Sequence, residues 1–329
     1  MEKNGCISKK NKELKFILAI TTYNRLDFLS SCIRSWNETR SQKANWEIIV
    51  ADDGSEDGTI EYVESLKLEN TKITLLRNYR IGVHQQMNTI IELLEVKEFD
   101  FCFKIDDDIK FLKSGWDMLY YDHYLKTGQD HLVFFEKKWE KKQHLKNKVN
   151  SDKGEGNVSL LNVHGFFYTL TKDIVKKVGY FDYREFYFRG MGHVDYTARC
   201  CRAGFNNIHT PFDVKNSNEF ISAYHEEYSS AIKHDWVSYY DEFFRMKKVD
   251  KILEEDRVYI GKSEVNLKAY FLFKDRLINA MSNKLDKFEE EKAEIVNWYE
   301  NQYNDVPKWY LKLGKIFKLK LLIKKGLIK

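Results

Sequence analysis

The chain has 329 residues, 43% of them hydrophobic and 32% charged, and a net charge of only +4. This balance is typical of a globular protein with a sizeable core, and so small a charge argues against a nucleic-acid-binding protein. Five cysteines without a CxxC pair argue against a disulfide framework or a zinc ribbon. The polar N-terminus has no apolar stretch typical of a secretory signal, so we expect a cytoplasmic protein.

The first part of the chain alternates between strand-like and helix-like patterns. Strands are predicted at residues 14–23, 46–51, 72–78 and 99–105. Helices are predicted at residues 25–36, 60–66, 83–96 and 114–126. Ser55 or Asp57 is expected to cap the second helix. This alternation predicts an α/β fold with a mostly parallel sheet flanked by helices.

The second part of the chain is less regular. Residues 136–157 are rich in lysine and lack periodicity, which predicts an excursion from the fold. Strands are then predicted at 158–170 and 206–212, and helices at 171–182 and 191–204. From about residue 229 the pattern is helical, aromatic and heavily charged.

Polar clusters follow each of the first four predicted strands. They are Thr21 to Asn24, Asp52 to Ser55, Arg77 with Asn78, and Asp106 to Asp108. Because the carboxyl ends of parallel strands meet at one edge of a sheet, we expect these clusters to converge there as a ligand site. Three adjacent carboxylates are costly together unless a cation accompanies them, so the aspartates indicate either a metal site or a solvated turn that ends the strand.

These motifs resemble those of family 2-type glycosyltransferases with the GT-A fold, of the bacterial surface-glycan type. The sequence "TTYN" ends the first strand, "DDGS" ends the second, and "DDD" at the end of the fourth contains a DxD signature. Between them, "NYRIGVHQQMN" keeps the family spacing of Gly82 and Asn88. The resemblance covers residues 20 to 205.

The resemblance implies a nucleotide-sugar donor, UDP-linked by preference, and a divalent metal, Mn²⁺ or Mg²⁺, that neutralises the leaving phosphates as a Lewis acid. Asp108 is then the main metal ligand, and Asp106 contacts the ribose or helps to coordinate the metal. His225 is preferred over His209 as a further ligand. The expected donor-binding residues are Thr22, Tyr23, Asn24, Asp52, Asp53, Arg77, Arg80, Gly82, Asn88, Asp106 and Asp107.

Inverting transfer also requires a base that deprotonates the acceptor hydroxyl. The family places it in an E-D-x-D-like segment, where this chain has Gly192 and His193 instead. The candidates are therefore His193, which holds the expected position, and Asp195, which has the usual chemistry. His164 is expected on the acceptor side.

The C-terminal residues 306–329 alternate lysines with apolar side chains, which is typical of a basic amphipathic helix at an anionic membrane surface or of a helix packed on the domain. We expect a GT-A domain at 1–228, with a nucleotide half at 12–110 and an acceptor half at 111–228. A helical region at 229–329 follows, and its charged stretch at 264–300 is expected to support self-association. The sequence thus predicts a peripheral membrane enzyme acting on a glycan or lipid-linked acceptor in bacterial polysaccharide synthesis.

Two other functions are compatible with parts of the pattern. A nucleotidyltransferase would need a glycine- and lysine-rich phosphate loop after the first strand, and "ITTYNRLDF" contains none. A non-catalytic protein that binds sugar nucleotides within a glycan-assembly complex is compatible with the altered E-D segment.

Overall fold

A computed structural model describes residues 13–140, 156–158, 160, 163–186, 191–206, 210–223, 252 and 256–265. All of them belong to one compact unit, formed by residues 1–231 and 248–265. The predicted helical region after residue 229, including the basic tail at 306–329, lies almost entirely outside the described residues.

The strands and helices follow the alternation that the sequence predicts. The strands are β1 (Leu14–Thr22), β2 (Ala44–Asp52), β3 (Thr71–Arg77), β4 (Phe101–Asp106), β5 (Lys110–Phe111), β6 (Phe167–Leu170) and β7 (Ile221–Ser222). The helices are α1 (Leu26–Thr39), α2 (Thr59–Ser65), α3 (Val83–Val96), α4 (Trp116–Thr127), α5 (Lys137–Glu140), α6 (Lys172–Val178), α7 (Tyr183–Phe186) and α8 (Gly192–Arg202).

The main sheet has five strands in the order β3-β2-β1-β4-β6. The pairs among β1 to β4 are parallel, and only β6 runs antiparallel, against β4. β5 and β7 form a separate antiparallel pair. The predicted α/β class with a mostly parallel sheet is therefore confirmed.

Helices cover both faces of the central strands, which explains why those strands are almost continuously apolar. On one face, Phe16 and Leu18 of β1 share a core cluster with Leu29 and Trp36 of α1. The helix α3 packs against β1 and β2 and against α6. The aromatic ring of Phe103 in β4 lies at the centre of the first face, 4.8 Å from the ring of Trp116 and 5.8 Å from that of Trp46. Such aromatic packing contributes much of the stability of a core.

The strand register brings the polar clusters to one edge of the sheet. Thr22 of β1 lies beside Asp52 of β2, and Asp52 lies beside Arg77 of β3. On the other side of β1, Thr21 lies beside Asp106 of β4. The predicted convergence of the strand ends is therefore confirmed.

The expected cap of α2 is wrong. The helix begins after Gly58, which has a left-handed φ of 89° and provides no side-chain cap. Ser55 instead donates its hydroxyl to Asp52, and Asp57 accepts the amides of Leu26 and Thr59. Both side chains join loops of the site edge, and Asp57 also binds the amide of Thr59, the first residue of α2.

The second half departs from the predicted strands. Of the described residues within 158–170, only Phe167–Leu170 form a strand, and they pair with β4. Of the described residues within 206–212, Phe212 makes only isolated bridges, to Leu132 and Asn157. The preceding Pro211 has no amide hydrogen to continue a ladder. The predicted excursion at 136–157 lies largely outside the described residues, apart from α5 and its flanks.

In the portion of the chain that the structure describes, no helix is both long enough and apolar enough to cross a membrane.

Candidate active site

The loops after β1, β2 and β4 are tied together by side chains at the carboxyl edge of the sheet. The Thr21 hydroxyl donates to Asp106 over 3.0 Å, and the Thr22 hydroxyl donates to Asp107 over 2.7 Å. The backbone amide of Asn24 donates to the hydroxyl of Ser55 over 2.8 Å. The three loops therefore form one connected surface rather than three independent turns.

The three adjacent aspartates have different environments. The side chain of Asp106 is 34% exposed, whereas those of Asp107 and Asp108 are 3% and 11% exposed. Burial raises the pKa of Asp107, and the neighbouring Arg25 guanidinium opposes that rise. Asp106 is therefore the carboxylate that faces solvent, and Asp107 belongs to the interior.

Arg25 is a site residue that the sequence patterns did not identify. Its Nη1 lies 3.0 Å from Asp107 Oδ1 and its Nη2 lies 2.9 Å from Asp108 Oδ2, so one guanidinium contacts both buried carboxylates. The available signal was its position directly after "TTYN", at the strand end where the negative charges converge.

Lys104 is a second cation that the sequence patterns did not identify. It is 2% exposed, and its ammonium pairs with Asp106 and donates to the carbonyl of Gly165 over 2.7 Å. The available signal was a lysine inside the otherwise apolar strand "FCFKI", since a buried charge needs a partner.

Asp52 and Asp53, which the sequence could not distinguish, have separate partners. Asp52 accepts the amides of Gly54 and Ser55, each over 2.9 Å, and shapes its own turn. Asp53 accepts the amides of Ile81 over 2.6 Å and Gly82 over 3.1 Å. Burial raises the pKa of Asp53, while these amides act in the opposite direction. Asp53 thereby joins the loop after β2 to the start of α3.

An arginine and a tyrosine stack at the same edge. The guanidinium of Arg80 lies 3.8 Å from the centre of the Tyr23 ring and its Nη1 lies 3.6 Å from Asp53 Oδ2. Arg80 and Asn24 both have left-handed backbones, with φ values of 55° and 48°. Such conformations are uncommon for residues other than glycine and are concentrated at functional loops.

Three expected donor-binding residues have structural contacts of their own. Arg77 forms an ion pair with Glu64 of α2 on the exposed surface. Asn88 accepts the amide of Phe181 over 2.7 Å and donates to its carbonyl over 3.1 Å, and so joins α3 to the loop after α6. Gly82 precedes α3 with a φ of 83°, a backbone conformation that favours glycine.

The two candidate bases at the start of α8 lie in different surroundings. Asp195 is buried, and its carboxylate pairs with Nε of the buried Arg199 over 2.8 Å. The Nε2 atom of His193 lies 3.0 Å from the carbonyl oxygen of Val163, so this nitrogen carries the hydrogen. Burial lowers the pKa of His193 to about 3, and the nearby His84, His164 and Lys104 act in the same direction.

Glycines allow the two histidines of this region to approach the backbone. A Cβ on Gly165 would lie 2.9 Å from Cγ of His193, and a Cβ on Gly192 would lie 2.4 Å from Nε2 of His84. A side chain at either glycine would therefore displace an imidazole. The Gly165 carbonyl also accepts from Lys104, which links the His193 side of the site to Asp106.

Asp106, Asp107 and Asp108, at the end of β4, form the acidic edge of the sheet. Its chemistry fits a hard divalent cation with few protein ligands. Asp106 and Asp108 offer carboxylate oxygens, which Mg²⁺ and Mn²⁺ prefer. Among the described residues, no group of three or more histidine, cysteine or acidic side chains is placed to hold a metal ion. Two carboxylates suffice when phosphate oxygens and water complete the coordination. The expected ligand His225, and its alternative His209, lie outside the described residues.

Comparison with known proteins supports one family. Residues 17–145 match the family described as "Glycosyl transferase family 2". An "Uncharacterized glycosyltransferase R363" of Acanthamoeba polyphaga mimivirus is 26% identical over 225 residues, which cover 64% of this chain and 82% of the relative.

Solved structures resemble the chain more distantly. One is S. aureus TarS 1–349 in complex with UDP, at 19% identity and a TM-score of 0.44, with 61% of this chain and 57% of that chain covered. Another is the mannosyltransferase PcManGT from Pyrobaculum calidifontis in complex with GDP-Man and Mn²⁺, at 13% identity and a TM-score of 0.47, with 61% and 55% covered. The chain thus spans little more than half the length of these structures.

The resemblance, the fold and the family match agree with one another. The four strand-end motifs lie within or at the edge of one connected surface, on the mostly parallel, helix-flanked sheet that the GT-A resemblance implied. Residues 17–145 of this chain are thus similar to the family 2 glycosyltransferases, and they include the parallel strands β1 to β4 of the sheet.

Proposed function

We propose that the chain is a metal-dependent, inverting glycosyltransferase that moves a sugar from a nucleotide-sugar, UDP-linked by preference, to a glycan or lipid-linked acceptor. The observation that carries this proposal is the joining of the loops after β1, β2 and β4 by the Thr21–Asp106, Thr22–Asp107 and Asn24–Ser55 hydrogen bonds. In parallel α/β sheets a ligand binds outside this edge.

The nucleoside end of the donor would lie along the Tyr23 side of the edge. The Tyr23 ring offers a flat apolar face beside Arg80, and Asp53 holds the loop that carries Arg80. Asp52, Gly82 and Asn88 act on the donor indirectly, because they shape the turn after β2 and the start of α3. Arg77 contributes least, since it pairs with Glu64 on the exposed surface.

The diphosphate end would lie at the acidic edge. Asp106 is the exposed carboxylate there, and Asp108 lies beside it. A divalent cation, when bound, neutralises charge that develops on the leaving phosphates. Lys104 is buried within β4 and pairs with Asp106. This pair holds the Asp106 carboxylate in place at the edge.

His193 is the better candidate for the base. Its hydrogen-bonded Nε2 leaves Nδ1 as the proton acceptor. The absent side chain of Gly165 leaves the Nδ1 side of the ring open, because a Cβ there would lie 3.3 Å from Nδ1. Asp195 is instead held by Arg199, which also donates to the backbone carbonyls of Val178 and Tyr180.

The alternative is a non-catalytic protein that binds sugar nucleotides. One observation favours it, since the carboxylate nearest the expected base position, Asp195, is occupied by a buried ion pair. This alternative predicts donor binding without release of nucleotide.

A donor screen tests both proposals. The full chain is incubated with UDP-, GDP-, CMP- and dTDP-linked hexoses and N-acetylhexosamines in the presence of Mn²⁺ or of a chelator. Thermal shift measures binding, and nucleotide release measures turnover. The transferase proposal expects metal-stimulated nucleotide release from one donor class, whereas binding without release from any donor favours the alternative. The setting in bacterial polysaccharide synthesis, the membrane-bound tail and self-association remain predictions.

A further inference from the structure

The acidic edge of the sheet already contains two cations from the chain itself. Arg25 bridges Asp107 and Asp108 with separate guanidinium nitrogens, at 3.0 and 2.9 Å. Lys104 pairs with Asp106. The three adjacent carboxylates are thus accompanied by two positive charges, so the edge carries far less negative charge than "DDD" implies.

Arg25 is held in this position from several directions. Its guanidinium lies 4.4 Å from the centre of the Phe28 ring, and its side chain is only 17% exposed. Asp107 receives the Thr22 hydroxyl as well, which fixes the carboxylate that Arg25 contacts. Partly buried pairs such as these are screened by water and salt much less than pairs on the surface.

This arrangement bears on metal binding because Asp108 is the ligand that the proposed function assigns to the metal. Arg25 contacts Oδ2 of Asp108, which is one of the two oxygens that this carboxylate would offer to a divalent cation. A guanidinium and a divalent cation that approach the same carboxylate repel each other. The apparent affinity for the metal is then the intrinsic affinity multiplied by the fraction of time that Arg25 leaves Asp108 free.

We propose that Arg25 is a resident counter-ion that a divalent cation must displace from Asp108. The chain alone then binds the metal weakly, and the carboxylates remain neutralised whenever no metal is bound. This inference rests on the proposed metal-dependent function and adds to it a residue that sets the metal affinity.

The test is a titration of the full chain with Mn²⁺ alone, in which free Mn²⁺ is measured by electron paramagnetic resonance. Arg25→Gln is expected to bind Mn²⁺ about five- to tenfold more tightly than the wild type. Arg25→Lys keeps the charge but lacks the fork that contacts both carboxylates, so an intermediate affinity is expected.

Two further variants separate displacement from a general effect of charge. Lys72→Gln removes one positive charge at the amino end of β3, roughly 17 Å along the strand from the site edge, and is expected to leave Mn²⁺ affinity unchanged. The double variant, Arg25→Gln with Asp107→Asn, leaves the net charge unaltered. It also removes the buried carboxylate that loses its Arg25 partner in the single variant. This double variant should still bind more tightly than the wild type.

The proposal is overturned if Arg25→Gln, or the double variant when the single one does not fold, binds Mn²⁺ no more tightly than the wild type. It is equally overturned if Arg25→Lys matches the wild type or if Lys72→Gln tightens binding as much as Arg25→Gln. Failure of every protein to bind Mn²⁺ also contradicts it. In that case turnover in a chelator still decides whether the chain is a transferase, so the two failures are distinguishable.

Discussion

The hydroxyl of Thr22 donates a hydrogen bond of 2.7 Å to the carboxylate of Asp107, although 85 residues separate the two. The bond joins the ends of β1 and β4 beneath the surface of the site. Asp107 is 2% exposed, so its neighbour Asp106, and not Asp107 itself, is the carboxylate available to a ligand. A motif of three identical residues thus contains one residue for the interior and one that faces the solvent.

Removing this hydrogen bond should destabilise the domain measurably. Thr22→Val keeps the shape of the side chain but leaves Oδ2 of the buried Asp107 without the Thr22 donor, while Arg25 still contacts Oδ1. The loss of this hydrogen bond costs about 1–3 kcal/mol in the free energy of unfolding. Thr21→Val is the matched control, because its partner Asp106 is exposed enough to bind water, and a smaller loss is expected. Urea denaturation of both variants measures the difference. Equal losses would contradict the separate environments of the two aspartates.

Mutation of the two candidate bases should affect different properties, stability for Asp195 and turnover for His193. Asp195→Asn breaks a buried ion pair and is expected to lower the free energy of unfolding by about 3–5 kcal/mol. His193→Gln should instead abolish nucleotide release in the presence of acceptor, while donor binding measured by thermal shift persists. His123→Gln, in a half-buried histidine of α4 that contacts Gln129, serves as the control for turnover. Full turnover of His193→Gln would exclude His193 as the base.

The stability of the domain should fall between acidic and neutral pH because of Asp213. Burial raises its pKa from 3.8 to about 7, against hydrogen bonds from Phe135, Ser217 and Tyr120. The folded chain therefore retains a proton that the unfolded chain has released over this interval. The contribution of Asp213 to the free energy of unfolding consequently decreases as pH rises from 3.8 to about 7, by about 4 kcal/mol.

Asp213→Asn removes this titration and should flatten that part of the profile. Its unfolding free energy relative to the wild type should improve steadily as pH rises through the interval, measured by urea denaturation at several pH values. A difference that does not change with pH would mean that Asp213 is ionised in the folded chain.

His131 should contribute a pH dependence of the opposite sign. It is buried between the Thr169 carbonyl and the Thr197 hydroxyl, and burial lowers its pKa from 6.5 to about 4. The unfolded chain therefore binds a proton that the folded chain refuses as the pH falls from 6.5 towards 4. The free energy of unfolding therefore decreases as the pH falls.

His131→Gln should be destabilised most at neutral pH, and its difference from the wild type should narrow below pH 6.5. Comparison with Asp213→Asn at each pH separates the two titrations, because they change the stability in opposite directions. A constant difference between His131→Gln and the wild type would contradict the neutral, buried state of this imidazole.

Much of the N-terminal half could be predicted because its elements follow simple patterns. The helix α3 has the predicted bounds, since its apolar residues recur with helical spacing between Gly82 and the end of the helix at Val96. The cap of α2 could not be predicted, because Ser55 and Asp57 both have cap chemistry, whereas the cap position is taken by Gly58 with its left-handed backbone. The strand expected at 206–212 is not formed in its described part, where Pro211 supplies no amide hydrogen.

By itself the sequence determined the class of sheet and the edge at which the strand-end motifs meet, because parallel strands with short buried sequences must end together. Only the tertiary structure decided which charges at that edge are neutralised. Arg25 contacts Asp108 across 83 residues of sequence, and Lys104 reaches Asp106 and Gly165 from within a buried strand. Such pairs depend on the direction of side chains after the strands have packed, and no local pattern of residues specifies that direction.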